Sequence, residues 1–211
     1  MDAKSFFGDW IEVIDVPVLE STLSFMEEQI KQGHLVYPEP SILFNPFLLC
    51  PYKDLKLVIL NCYPLSPLTN GLAFGVKADV PYEKFPENLK SLYDCIDKYV
   101  QWDLPFATKD LTFPTMECWA KQGVLMLNYP LCESNLPEDI WYLFTKKLLK
   151  SIANSKKDVI FAVFDDVGNR FVPDINPDNL VVSNTHVIKE DIFGEIDKKL
   201  QEHNKSVMFW Y

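Results

Sequence analysis

Four short apolar runs, each ending at polar side chains, constrain this chain more than any other feature. They are Leu57 to Leu60, Gly123 to Asn128, Val159 to Phe164 and Leu180 to Val182. Runs of that length that stop at a polar cluster have the composition of strands buried on both faces. Segments with helical spacing lie around and between them. Val18 to Lys31 puts Leu19, Leu23, Phe25, Met26 and Ile30 on one face and stops at Gly33. Pro86 to Val100 aligns Leu89, Leu92, Tyr93, Ile96 and Val100. Pro137 to Ile152 opens with Glu138 and Asp139, which suit the positive end of a helix, and Asp191 to His203 aligns Ile192, Phe193, Ile196 and Leu200. Strands alternating with helices predict a three-layer α/β/α fold around a central four-stranded parallel sheet. Such a sheet gathers the C-terminal ends of its strands along one edge, where α/β folds hold ligands. On that edge the sequence predicts Asn61 to Ser66, Asn128, the pair Asp165-Asp166 and His186.

Composition narrows the class. With 48% hydrophobic and 14% aromatic residues, the 211-residue chain reads as a single packed domain over residues 1–211. A formal net charge of −10 opposes attraction to polyanions, so any DNA binding is expected to be weak. The five cysteines, Cys50, Cys62, Cys95, Cys118 and Cys132, show no CxxC spacing, and Met1 to Asp9 has no long apolar region. These point to reduced thiols and an intracellular location. The histidines, His34, His186 and His203, form no metal-ligand pattern. Neither a metal nor a cofactor is expected, and no stretch has membrane-spanning length. His34, just after a helix, reads as a cap or surface residue.

The ordered motifs resemble those of the uracil-DNA glycosylases, from about Trp10 to Trp210. Ser41 to Phe47 is similar to the family's Ile-Phe-Asn-Ala-Phe segment. Lys56 to Leu60, followed by Asn61 to Ser66, is similar to its strand and Gly-Gln-Asp-Pro-Tyr-His loop. Gly71 to Val76 resembles Gly-Leu-Ala-Phe-Ser-Val, and Pro86 to Tyr93 resembles Pro-Pro-Ser-Leu-Lys-Asn-Ile-Tyr. Trp119 to Asn128 nearly repeats Trp-Ala-Lys-Gln-Gly-Val-Leu-Leu-Leu-Asn. Trp141 to Thr145 is similar to a Trp-x-x-Phe-Thr helix, Val181 to His186 to the lead-in to His-Pro-Ser-Pro-Leu, and Phe193-Gly194 to the Phe-Phe-Gly beyond it.

Excising uracil requires flipping the base out of the stack and laying it on an aromatic face. An amide must read its edge, a carboxylate must activate water, and a donor must steady the departing base. The resemblance assigns the stacking ring to Phe74, the reader to Asn128 and the donor to His186. It also implies losses. Tyr63 stands at the aspartate position, Cys62 at the glutamine, and Leu65 at the tyrosine that excludes a 5-methyl group. Gly75, Ser66, Asn88 and Ile188 stand at phosphate-contact positions. The wedge region, Val187 to Glu190, is shortened and carries an acid, Glu190. Losing positioned general-base help costs roughly 10²–10⁴ in rate.

These features favour a catalytically inactive glycosylase-like protein that serves as a binding scaffold. Its expected partners are proteins of a DNA replication, repair or transcription assembly, in a setting that suits a virus or mobile element. Aromatic anchors for such a partner are sought at Phe6-Phe7, Trp102 and Phe209-Trp210-Tyr211, with ordinary packing favoured for Trp210. One alternative is an active DNA glycosylase of altered base specificity, with Asp165 or Asp166 as substitute carboxylate beside His186. Another is a protein that binds uracil-DNA without cutting it.

Overall fold

The computed structural model describes residues 3–62, 67–100, 114–134, 139–164, 166–183, 188–189 and 191–210. Its strands are β1 (Val36–Tyr37), β2 (Leu57–Asn61), β3 (Val124–Asn128), β4 (Glu133–Ser134), β5 (Ile160–Phe164) and β6 (Leu180–Ser183). Strands β1 and β4 pair as a small antiparallel ribbon, and the other four form the sheet, in the order β3-β2-β5-β6 with every pairing parallel. The helices are α1 (Ala3–Phe7), α2 (Val16–Lys31), α3 (Asn45–Leu49), α4 (Glu87–Val100), α5 (Glu117–Ala120), α6 (Tyr142–Ser155) and α7 (Ile192–Glu202).

Strands buried on both faces explain why the runs are continuously apolar rather than alternating. Val58 and Leu60 of β2 lie with Leu125, Leu127, Phe161 and Val163 in one core, closed by Phe7, Leu19, Met26, Phe47, Phe144 and Leu148. Leu57 and Ile59 lie with Val124, Met126, Ile160, Ala162 and Phe164 in the other, closed by Leu89, Leu92, Ile96, Trp119, Phe193 and Leu200. Helices α1, α2, α3 and α6 thus cover one face of the sheet, and α4, α5 and α7 the other. The three-layer α/β/α architecture predicted from the sequence is the one observed.

Two helix ends show how local signals fare. Helix α2 starts where Asp15 caps it, its Oδ1 accepting from the Val18 N–H at 3.1 Å. Gly33, at φ +91°, ends it, and the His34 N–H donates to the Gln29 carbonyl at 3.1 Å, consistent with a capping role. Helix α6, by contrast, begins at Tyr142 rather than at Pro137. Asp139 does not serve a helix start. Its carboxylate accepts from Arg170 at 2.9 Å, a contact between segments 31 residues apart. Residues 135–138 lie outside the described part.

The aromatic ends are mostly interior. Phe7 packs edge-on against Phe44 and Phe47, with ring centroids 5.1 and 5.7 Å apart. Trp210 packs against Phe193 at 4.6 Å and edge-on against Trp119 at 5.0 Å. Phe209 alone of this group is well exposed, at 66%; Trp102 and Tyr211 lie outside the described residues. All five cysteines are free thiols. Among the described residues no helix is long and apolar enough to cross a membrane, and no group of acidic, histidine or cysteine side chains could hold a metal ion.

A buried carboxylate ties the tail to this layer. Asp197 of α7 accepts from the Met208 N–H at 3.1 Å, the Trp210 indole N–H at 2.9 Å and the Tyr99 hydroxyl at 3.0 Å. Burial and then this bond to Asp197 raise the Tyr99 phenol above its usual range. Replacing Asp197 with Ala strands two buried donors and the more exposed Tyr99 hydroxyl. Asp197→Ala is expected to lower unfolding stability by about 2–4 kcal/mol, read as a lower urea midpoint and loss of the indole environment of Trp210 in fluorescence.

Candidate functional site

The sheet register builds the site. Asn61 ends the central strand β2 and lies opposite Asn128 of β3 on one side and Phe164 of β5 on the other. Side chains alternate along strands, so Asn61 shares the face of Leu57 and Ile59, and Asn128 that of Val124 and Met126. All three side chains therefore emerge on the α4/α5/α7 face, at the C-terminal edge.

A hairpin-like segment closes over them. The Ala73 N–H donates to the Met126 carbonyl at 2.9 Å, Gly71 N–H to the Thr69 hydroxyl at 3.0 Å, and Leu72 N–H to the Asn70 carboxamide at 3.2 Å. Asn70 in turn donates to the Thr115 carbonyl at 2.8 Å, and its own carbonyl accepts from Asn45 at 2.8 Å. Gly71 sits at φ +93°, and a Cβ there would come within 2.2 Å of the Ile42 carbonyl oxygen. Only glycine fits that approach. Phe74 is held at φ +60°, a region costly for a bulky side chain, with its ring edge-to-face on Phe164 at 5.1 Å and 78°.

Polar groups at this edge form one directed chain. The Asn128 Nδ2 donates to the Gly71 carbonyl at 3.1 Å, and the Asn61 Nδ2 donates to the Asn128 Oδ1 at 3.2 Å. Asn61 and Asn128 are 3% and 2% exposed, so neither amide has water to fall back on. The remaining Asn61 Oδ1 is buried without a hydrogen-bond partner among the described residues. On the opposite face, just past β3, the Tyr129 hydroxyl donates to Asp139 while Arg170 reaches both, at 3.0 Å to the hydroxyl. Burial first, then the bond to Asp139, raises the Tyr129 phenol well above its usual range. The Arg170 guanidinium lies over the Tyr142 ring at 4.5 Å. Asp139 is thus an ion-paired carboxylate, not a free base for the site.

No family model matches the chain. It is similar to a uracil-DNA glycosylase of Coxiella burnetii (strain RSA 493), 32% identical over 155 residues that cover 70% of this chain and 64% of that one, just under two thirds of its length. A uracil-DNA glycosylase of Borrelia hermsii is 30% identical over 200 residues, covering 85% of this chain and 84% of that one. The chain belongs to the uracil-DNA glycosylase family. A mimivirus UNG variant solved in complex with UGI has a TM-score of 0.77 at 19% identity, covering all of this chain and 88% of that one, and this likeness shows the shared fold.

Of the residues that the glycosylase motifs single out, Phe74 and Asn128 come together on one face of the edge. Cys62, one residue beyond Asn61, is buried in the opposite core with Val163 and Tyr129, its N–H donating to the Phe164 carbonyl at 3.2 Å. The phosphate-contact positions turn inward. Asn88 is buried at the start of α4 with its Oδ1 accepting from the Leu89 N–H at 3.0 Å, and Ile188 is a core residue. A Cβ on Gly75 would meet the Asn70 carboxamide at 2.3 Å. Tyr63, Leu65, Ser66, Asp165, His186 and Glu190 lie outside the described residues, and Asp166 opens a single 3-10 turn, Asp166–Arg170. Asn61, predicted on this edge, carries no assigned role in the motifs, although the glycosylase loop opens with glycine and this chain puts a carboxamide in its place.

The amide chain is a stability element as well. Asn128→Ala leaves the Gly71 carbonyl and the Asn61 Nδ2 unpaired, with an expected loss of about 1–3 kcal/mol. Gly71→Ala must move the Ile42 backbone and is expected to cost at least as much. Urea midpoints of the two variants against the parent check both.

Proposed function

We propose that this chain keeps the uracil-DNA glycosylase fold as a binding scaffold and releases no uracil from DNA. One observation carries the reading. Asn128, at the position of the base reader, spends its amide on Gly71 and Asn61 and is almost fully buried. A reader so engaged has to break internal hydrogen bonds before it can meet a base.

The sequence around it agrees. Tyr63 replaces the water-activating aspartate, and a phenol stays protonated at neutral pH, so it offers neither charge nor a base. Cys62 and Leu65 replace the glutamine and tyrosine of the same loop. Asn88, Ile188 and Gly75 are turned into the protein, and Glu190 adds an acid to the wedge region. With a net charge of −10, the surface lacks the cationic surplus that grips phosphates. The fold itself remains fully packed, which is what a docking platform needs. Its partner is a protein of a nucleic-acid-processing assembly; the mimivirus neighbour, caught in complex with UGI, is a precedent for this fold holding a protein. Exposed Phe209 is one available anchor.

The test is base release from single- and double-stranded oligonucleotides bearing one uracil, beside an active glycosylase. No release above the protein-free control is expected, and none from thymine-containing strands. Uracil release that disappears in Asn128→Ala would overturn the proposal.

A further inference from the structure

The amide partner of Asn128 is more than a filler. We propose that Asn61 is a built-in occupant of the base-reading position, and that removing its side chain opens the site to a free pyrimidine base. The inference rests on Asn128 being the descendant of a base reader, as proposed above.

The orientation of the chain of amides is fixed by its far end. The Gly71 carbonyl can only accept, so the Asn128 amide must turn its NH2 toward it and its oxygen toward Asn61. The group facing that oxygen must then be the Asn61 NH2, as found at 3.2 Å. Asn61 therefore offers Asn128 an N–H flanked by a carbonyl. A pyrimidine imide edge offers the same pattern, an N–H beside C=O in one plane.

Position supports the comparison. Asn61 stands between Asn128 and Phe164 across adjacent strands, and Phe74 packs on Phe164. Neighbouring strands are roughly 4.8 Å apart, so Asn61 stands directly between the reader and the Phe164 ring that Phe74 packs on. Glycine at this point, as in the glycosylase loop, leaves that space free.

A residue kept only for packing has no reason to leave a polar atom unsatisfied. The Asn61 Oδ1 is buried, has no partner among the described residues, and is not relieved by turning the amide, because that would orphan the Nδ2 and set two carbonyl oxygens together. An unpaired acceptor next to a reader is what remains when a short side chain imitates one part of a larger base. The base would bring its second carbonyl to a donor outside this pair; the Asn61 Oδ1 meets none among the described residues.

The experiment measures free uracil binding by ligand-observed NMR and calorimetry on the parent, Asn61→Gly, Asn61→Ala, Asn61→Leu and Asn61→Gly/Asn128→Ala. Folding of each is checked by circular dichroism and thermal melting. Asn61→Gly is expected to bind uracil at least about tenfold more tightly than the parent, with Asn61→Ala intermediate. Asn61→Leu, which fills the space without a donor, and the double variant are expected to show no gain. A parent that binds uracil as well as Asn61→Gly overturns the inference. So does a folded Asn61→Gly or Asn61→Ala that gains nothing, or a gain that survives loss of Asn128. Uracil release from DNA by the parent, measured on the same preparation, overturns the scaffold reading instead, so the two failures are told apart.

Discussion

The arrangement at the sheet edge depends on the register in which β2 sits between β3 and β5. Both pairings align Asn61, with Asn128 on one side and Phe164 on the other. A slip of one residue would send Asn61 to the opposite face and drive Leu60 into its place. The register is held by burial: Leu57 and Ile59 belong to one core, Val58 and Leu60 to the other. Each core would lose its apolar partners if the strand moved. The positions of two polar side chains are in this way set by the packing of apolar ones.

From that register follows the division of labour between the two faces. The α4/α5/α7 side carries the amide chain, the strained Phe74 and its contact with Phe164. The other side carries Tyr129, Asp139 and Arg170, a charged group satisfied within itself. The Asp139 carboxylate is thus already paired with a guanidinium. Exposed pairs of this kind contribute little to stability, so their value here lies in what they withhold from chemistry.

Much of this was legible in the residues. The four apolar runs marked all four strands of the sheet: β2, β3 and β5 are buried on both faces and cannot alternate, while the edge strand β6 leaves Val182 exposed. Asn128 and Phe74 were found because their surrounding motifs are long and ordered. The start of α6 was misjudged for a physical reason: Glu138 and Asp139 look like helix-start acids, but Asp139 answers to Arg170, a partner that local sequence cannot reveal. Asn61 was placed on the edge but without a role, because its contact is with a residue 67 positions away, set by strand register. The positive φ of Phe74 leaves no sequence trace, since nothing about a phenylalanine announces a backbone it rarely adopts.

The Asp197 hub has a consequence in time rather than space. Two of the groups that complete the α4/α5/α7 layer, the Met208 N–H and the Trp210 indole, which also packs against Trp119 and Phe193, belong to the stretch after α7. During synthesis, the opposite layer has all its helices once α6 has emerged, whereas this one must wait until Trp210 leaves the ribosome. Until then Asp197 has only the Tyr99 hydroxyl as a donor beside an aromatic gap, and the face that carries Asn61 and Asn128 is backed by an unfinished wall. The protein therefore acquires its site last.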